Sequence, residues 1–318
     1  SGQVTSGLLV QAAGQALAQQ APPAGQARHD GAERRLRDRG DLAAGSLLQS
    51  LHNQAPSVAA ATSRAEAAIG FNLALWNQLE GVYYGLSLGS VLLLAAAGLA
   101  ITFGVMGVIN MAHGEMVMLG AYTTYVVQGL VHDLAPAWEP AGLAFAVPAA
   151  FIVAGGVGVL IERTLIRYLY GRPLETLLAT FGISLILQQA VRSIFGPTNR
   201  QVSTPGWMSG ALDLGGLTLT YNRLVIILFA ILVFAGLILV LRRSSFGLRM
   251  RAVTQNRRMA AAMGIRTPWV DALTFGLGSG VAGMAGVALS QIDNVSPNLG
   301  QGYIIDSFMV VVFGGVGN

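Results

Sequence analysis

The chain has 318 residues, of which 11% are charged, against about 25% in an ordinary soluble domain. It holds no cysteine, and its 19 basic residues are all arginine. Disulfides, thiolate catalysis and Cys-ligated metals are excluded, and no lysine is present to serve a P-loop. Any ATP-driven work therefore needs a partner. The formal net charge of +4 argues only weakly for nucleic acid, because most of the arginines flank hydrophobic runs, where topology explains them.

Residues 1–75 are rich in Ala, Gln and Ser, with a dense mixed-charge stretch at 28–41 and a short apolar stripe at Leu47, Leu48 and Leu51. They read as a helical or partly disordered extension outside the membrane. Residue 1 is Ser, not Met, which fits a removed signal peptide or an N-terminal fragment. From residue 76 the composition changes. Hydrophobic segments follow at 82–103, 106–130, 142–161, 174–195, 224–241 and 270–291, each near the roughly 18–20 residues that cross a bilayer as a helix. The fold class predicted is all-α, a polytopic membrane helical bundle over 76–318. A last apolar run begins at Tyr303 and stops at Asn318, too short for a span, so the bundle is expected to be incomplete at its C-terminus.

Arginine placement orients the spans. Residues 162–172 carry Arg163, Arg167 and Arg172, and residues 242–266 carry Arg242, Arg243, Arg249, Arg251, Arg257, Arg258 and Arg266. By contrast, 131–141 has no arginine and 196–222 has only Arg200. The positive-inside rule places the first pair of loops in the cytoplasm and the second pair outside, which makes the N-terminal extension extracytoplasmic. Trp138 and Trp207 sit in the outer loops and Trp269 at an inner helix end, as interfacial anchors do.

Residues 104–120, GVMGVINMAHGEMVMLG, set Asn110, His113 and Glu115 in an otherwise apolar stretch. The first two hydrophobic segments have no polar loop between them, so a tight turn or a broken helix is expected near 107–114. Ionisable groups at membrane depth are costly and mark functional candidates. Two readings stand: these groups line a solute route, or they cap a broken helix and satisfy its freed backbone groups. With no Cys and no H-E-x-x-H, a metal hydrolase is excluded, and no cofactor motif or nucleophile–base pair suggests an enzyme.

Thr180, Ser184, Gln188 and Arg192 recur every four residues and form one polar stripe on a helix face. The stripe either lines a passage for a small polar solute or hydrogen-bonds to a neighbouring helix. Gly276-x-x-x-Gly280 and Ala282-x-x-x-Gly286 are small-xxx-small pairs that allow close helix packing. Within the arginine-rich loop, residues 254–264 can form a short helix, capped by Asn256 or Thr254 and ended by Gly264. It serves either as a docking element for a soluble partner or as a topology determinant alone.

Three stretches carry a family resemblance: VINMAHGEMVMLGAY (108–122), MAAAMGI (259–265) and VVFGGVGN (311–318). Over roughly 78–318 the chain resembles the LivH-like permeases of ABC importers for branched-chain amino acids. Within that group LLATFGISLILQQAVRSIFGPTNRQV (177–202) is similar to urea-importer permeases of the UrtB type, as is the placement of an N-terminal extension. The resemblance implies ATPase subunits, a second homologous permease and a periplasmic solute-binding protein as partners in a bacterial inner membrane, and no cofactor. It also implies that Ala260, Ala261 and Gly264, with Arg257 and Arg258 beside them, dock on the ATPase. Met259 stands where the stricter docking motif has an acidic residue. The family continues past the FGGVGN segment with further helices. The expected function is passage of urea, with Asn110, His113, Glu115, Thr180, Ser184 and Gln188 as the route, since amides and hydroxyls supply both donors and acceptors. Branched-chain or other amino acids, and a passive channel or secondary carrier, are the alternatives.

Overall fold

The computed structural model describes residues 56–214 and 217–315. The mixed-charge stretch at 28–41 and the stripe at Leu47, Leu48 and Leu51 lie outside the described residues. In chain order the helices are α1 (Pro56–Met106), α2 (His113–Leu134), α3 (Gly142–Thr164), α4 (Pro173–Phe195), α5 (Tyr221–Arg243), α6 (Ser245–Gln255), α7 (Arg257–Ala262), α8 (Thr267–Leu289) and α9 (Leu299–Phe313). Two short strands, β1 (Ala211–Leu214) and β2 (Leu217–Thr220), pair ahead of α5. Among the described residues they are the departure from the all-helical expectation. Helix α1 continues without a break through residue 75.

The chain divides into two compact units, one of residues 1–83 with 212–219 and one of 84–211 with 220–318. In the first, the described part of α1 exposes Phe71, Leu75, Leu79 and Val82. The second unit is the helical bundle. Five of its stretches are long and apolar enough to cross a membrane: Ala74–Met106, which enters from the first unit, Pro136–Tyr168, Pro173–Phe195, Tyr221–Arg243 and Thr267–Leu289. Helix α2 is not among them. It carries Thr123, Thr124, Gln128, His132 and Asp133, and the bundle itself buries its N-terminal half, from His113 through Met118.

Helix α8 is the centre of the bundle. Of its most apolar window 83% is buried, against 17% for α5, which turns Leu228, Ile231, Leu232 and Leu239 outward. Lipid tails are as apolar as leucine, so helices in a membrane associate through packing and hydrogen bonds rather than hydrophobic exclusion. Small residues make that packing close. A Cβ built on Gly120 of α2 would lie 2.0 Å from the carbonyl oxygen of Gly283 on α8, and one on Gly286 would lie 2.0 Å from that of Val117. On the adjoining face of α8, a Cβ on Gly276 or Gly280 would strike Val159 or Phe151 of α3 at 2.6 Å. Ala282 is fully buried. The small-xxx-small pairs are therefore where α8 meets α2 and α3.

The arginine-rich loops share one end of the bundle. Arg163, closing α3, stacks 4.2 Å over Trp269 at the start of α8, and Arg257 of α7 pairs with Asp271. At the other end, Arg200 bridges to Val295 through paired backbone bonds, and the Trp207 indole donates to the Pro140 carbonyl at 2.9 Å. Trp138, Trp207 and Trp269 are all exposed. This end-by-end grouping agrees with the loop pairing expected from charge.

Candidate functional site

Between α1 and α2 the helix is broken over residues 107–112. Gly107 has φ +64°, a conformation that costs other residues roughly 1–2 kcal/mol. The Gly107 N–H still closes on the Phe103 carbonyl at 2.7 Å. Beyond it the break is buried, with Val108, Asn110 and Ala112 all inaccessible, so its polar groups need protein partners. The Asn110 side-chain oxygen accepts from the Ala112 N–H at 3.0 Å, and the Thr180 hydroxyl of α4 accepts from the Met111 N–H at 3.1 Å. Asn110 and Thr180 thus hold the break together. The side-chain nitrogen of Asn110 keeps no partner.

One turn further on, Glu115 is buried between α2 and α4. Its Oε1 accepts from the Ser184 hydroxyl at 2.9 Å and from the Gln188 amide at 2.7 Å, and Oε2 has no partner. The polar stripe of α4 meets α2 residue by residue in the same direction, Thr180 at Met111 and Ser184 with Gln188 at Glu115. Arg192, the fourth member, leaves the seam and donates to Asn298 at 2.8 Å. His113 also stands apart. Its Nε2 meets the Ala95 carbonyl of α1 at 2.9 Å, on the side away from α4. Of the expected route residues, Glu115, Ser184 and Gln188 form one network, Asn110 and Thr180 support the break beside it, and His113 joins α2 to α1.

The seam is closed. A cavity of about 180 Å³ lies between α3, α5 and α8 and is lined by Leu143, Val147, Trp207, Phe229 and Val287 among others. A second, of about 300 Å³, lies between Leu99, Phe103, Phe308 and Val311. Neither is lined by Glu115, Ser184 or Gln188. Among the described residues no three His, Asp or Glu side chains are grouped to hold a metal ion.

The arginine-rich loop folds as two short helices. Ser244 caps α6 by accepting from the Gly247 N–H at 3.1 Å, and Asn256 caps α7 by accepting from the Met259 N–H at 2.9 Å. Gly264, at φ +85°, ends α7 as the Ile265 N–H bonds back to the Ala260 carbonyl at 3.1 Å. Among the expected docking residues, Ala260 is buried and Arg257 turns to Asp271, whereas Arg258, Ala261 and Gly264 are exposed. Met259 and Met263 join them on the open face at 60% and 77% exposure. Sequence reasoning missed Glu162, Tyr170 and Asp271, which gather beneath α7. An acidic residue at each of two span ends, in 161–163 and 270–272, was the signal. Burial, with the Asp271 and Glu162 charges next, pushes the Tyr170 phenol above its usual range, while Arg257 pulls it the other way.

A break at membrane depth, a glycine-packed bundle and a capped helix at the arginine-rich end suit a permease subunit. The family model described as branched-chain amino acid transport system, permease component, matches residues 81–318. This chain belongs to that permease family. The chain is 31% identical over 249 residues to the high-affinity branched-chain amino acid transport system permease protein BraD of Pseudomonas aeruginosa, covering 77% of this chain and 81% of that protein. It is 31% identical to LivH of Salmonella typhimurium and 30% identical to LivH of Escherichia coli, each match covering 76% of this chain and 80% of the relative. No solved structure matches it. The permease is a multi-pass membrane protein, and its relatives are named as permease proteins of transport systems. The expectation of urea as substrate finds no support among these relatives, whose names give branched-chain amino acids.

Proposed function

We propose that this permease carries a branched-chain amino acid across the bacterial inner membrane as one subunit of an ATP-driven importer. The observation that carries the reading is the likeness of about three quarters of the chain to permeases named for that transport. The positive-inside rule puts the arginine-rich end in the cytoplasm and the N-terminal extension outside. ATPase subunits then meet the exposed face of α7, formed by Arg258, Met259, Ala261 and Met263. A second homologous permease shares the passage, and a periplasmic binding protein delivers the solute.

The chemistry of the seam favours a zwitterion. Glu115 offers the unpartnered Oε2 to an ammonium group, and α2 begins two residues earlier, so its N-terminal dipole suits a carboxylate. Helix α4 is joined to α2 at this depth by hydrogen bonds from Ser184 and Gln188, each worth roughly 0.6–2 kcal/mol. A joint of that strength can open as the ATPase cycles. A urea importer is the second reading, because the Gln188 amide and the Ser184 hydroxyl could equally serve a neutral amide.

Competition separates the two. With the full complex in proteoliposomes, uptake of labelled leucine should survive a large excess of urea and be blocked by unlabelled isoleucine. Uptake of labelled urea, unaffected by leucine, would replace the amino-acid reading with the urea one.

A further inference from the structure

Beneath α7 lies a group of charges that the passage does not use. Asp271, in the second turn of α8, is fully buried and pairs with Arg257, the first residue of α7. The Arg257 guanidinium also stacks 4.8 Å over the Tyr170 ring, in the turn that follows α3. The Tyr170 hydroxyl is buried without a hydrogen-bond partner, and Glu162, in the last turn of α3, lies close enough for its charge and that of Asp271 to act on each other. Glu162 is buried, with Arg163 at 3.8 Å, and Arg163 covers Trp269 at the α8 entrance. Two carboxylates and two guanidiniums balance, with the Tyr170 ring stacked against one of the guanidiniums.

Breaking a buried charge pair leaves an uncompensated ion, so such a pair resists separation more than the few contacts of a short surface helix do. Helix α7 is six residues long and buries Ala260 alone among its residues. Its hold on the bundle is therefore concentrated in Arg257. Arg257 reaches α8 through Asp271 and the connection that leaves α3 through Tyr170, and α3 and α8 are the pair packed through Gly155, Gly158, Gly276 and Gly280. Close-packed helices of this kind move as a unit, because their interface has no slack.

We propose that Arg257, Asp271, Tyr170 and Glu162 form a latch that ties α7 to the joined base of α3 and α8, so that a displacement of α7 by the ATPase moves those two helices together. These are positioning residues: none of them touches the solute seam. The inference rests on the reading of α7 as the ATPase contact. Coupling passes through a specific charged joint rather than along the backbone between Gly264 and Thr267.

The test uses the full chain assembled with its ATPase subunits in proteoliposomes. Because the chain has no cysteine, spin labels on Cys introduced at Ala262, exposed on α7 outside the docking face, and at Arg167 are the only ones it carries. In Asp271→Asn the ATPase subunits should stay bound and ATP hydrolysis should continue, while solute moved per ATP falls about tenfold, within the usual span of a coupling between sites. The distance distribution between the two labels should broaden. Tyr170→Leu, which removes the ring from beneath Arg257, should show the same pattern more weakly. Unchanged uptake per ATP together with an unchanged distribution in Asp271→Asn overturns the latch. If Asp271→Asn does not reach the membrane, Arg257→Lys, which keeps a cation but loses the planar stack, is read by the same two measurements and the same criterion. The docking reading fails separately, if Met259→Glu leaves the ATPase subunits bound. The label distances still decide the latch in that case.

Discussion

Thr180 shows how a polar side chain inside a membrane protein can be structural and still sit beside a functional seam. It accepts from the Met111 N–H and donates to the Leu177 carbonyl at 3.0 Å, so Thr180→Val strands a buried backbone donor. A loss of roughly 1–3 kcal/mol is expected, read as a lower unfolding midpoint in detergent, and Thr180→Ser should restore most of it. The glycines give a sharper contrast. In Gly120→Ala the new methyl meets Gly283 backbone, which cannot rotate away, and overpacking of about 1–3 kcal/mol should follow. Gly156→Ala, on the same bundle but with nothing within 4 Å of its Cβ, should be neutral or slightly stabilising. Equal effects of the two on thermal stability would show that the α2–α8 contact is not as close as described. The sequence marked Asn110, His113 and Glu115 as unusual, because charge and amide at membrane depth stand out from an apolar background. It could not sort them. Which side chain faces α4 and which faces α1 depends on the rotation of α2 after the break, and local residues do not carry that angle.

Helix α7 carries the case at the scale of elements. It is too short to persist on its own and is held by its ends. Asn256→Ala should cost about 0.5–2 kcal/mol of local stability through loss of the cap, seen as faster amide exchange over residues 257–263. Gly264→Ala should strain the left-handed position and have a similar effect. Protection unchanged in both would mean that α7 is fixed by packing rather than by its caps. Both caps were legible, since Asn before and Gly after a run of alanines is a strong local signal. The spans were legible for the same reason, because the bilayer makes length and hydropathy decisive. Three features were not. Helix α2 starts only at His113, because the break expected near 107–114 takes up residues 107–112 with the left-handed Gly107 and a turn at 111–112. Strands β1 and β2 have four residues each, so the Leu-Thr-Leu-Thr alternation of β2 is too brief to stand out from a loop. Arg257 reads as one more topology arginine until the fold brings Asp271 and Tyr170 to it.

At the scale of the molecule, helix burial separates two roles. The central α8 and the buried half of α2 form a packed interior, while α4 and α5 keep apolar faces such as Leu174, Leu178, Ile186 and Leu232 exposed, suited to lipid or to a second permease. In the proposed importer, energy enters through α7 from a separate ATPase. The most direct test is accumulation of labelled leucine against a gradient in proteoliposomes, measured for the full complex and for the permeases without ATPase subunits. The expected result is accumulation only with ATPase subunits and ATP present, lost in a Met259→Arg, Met263→Arg double variant that still folds. Leucine flux of equal rate without the ATPase subunits, insensitive to those substitutions, would contradict the claim and mark the protein as a channel or a secondary carrier.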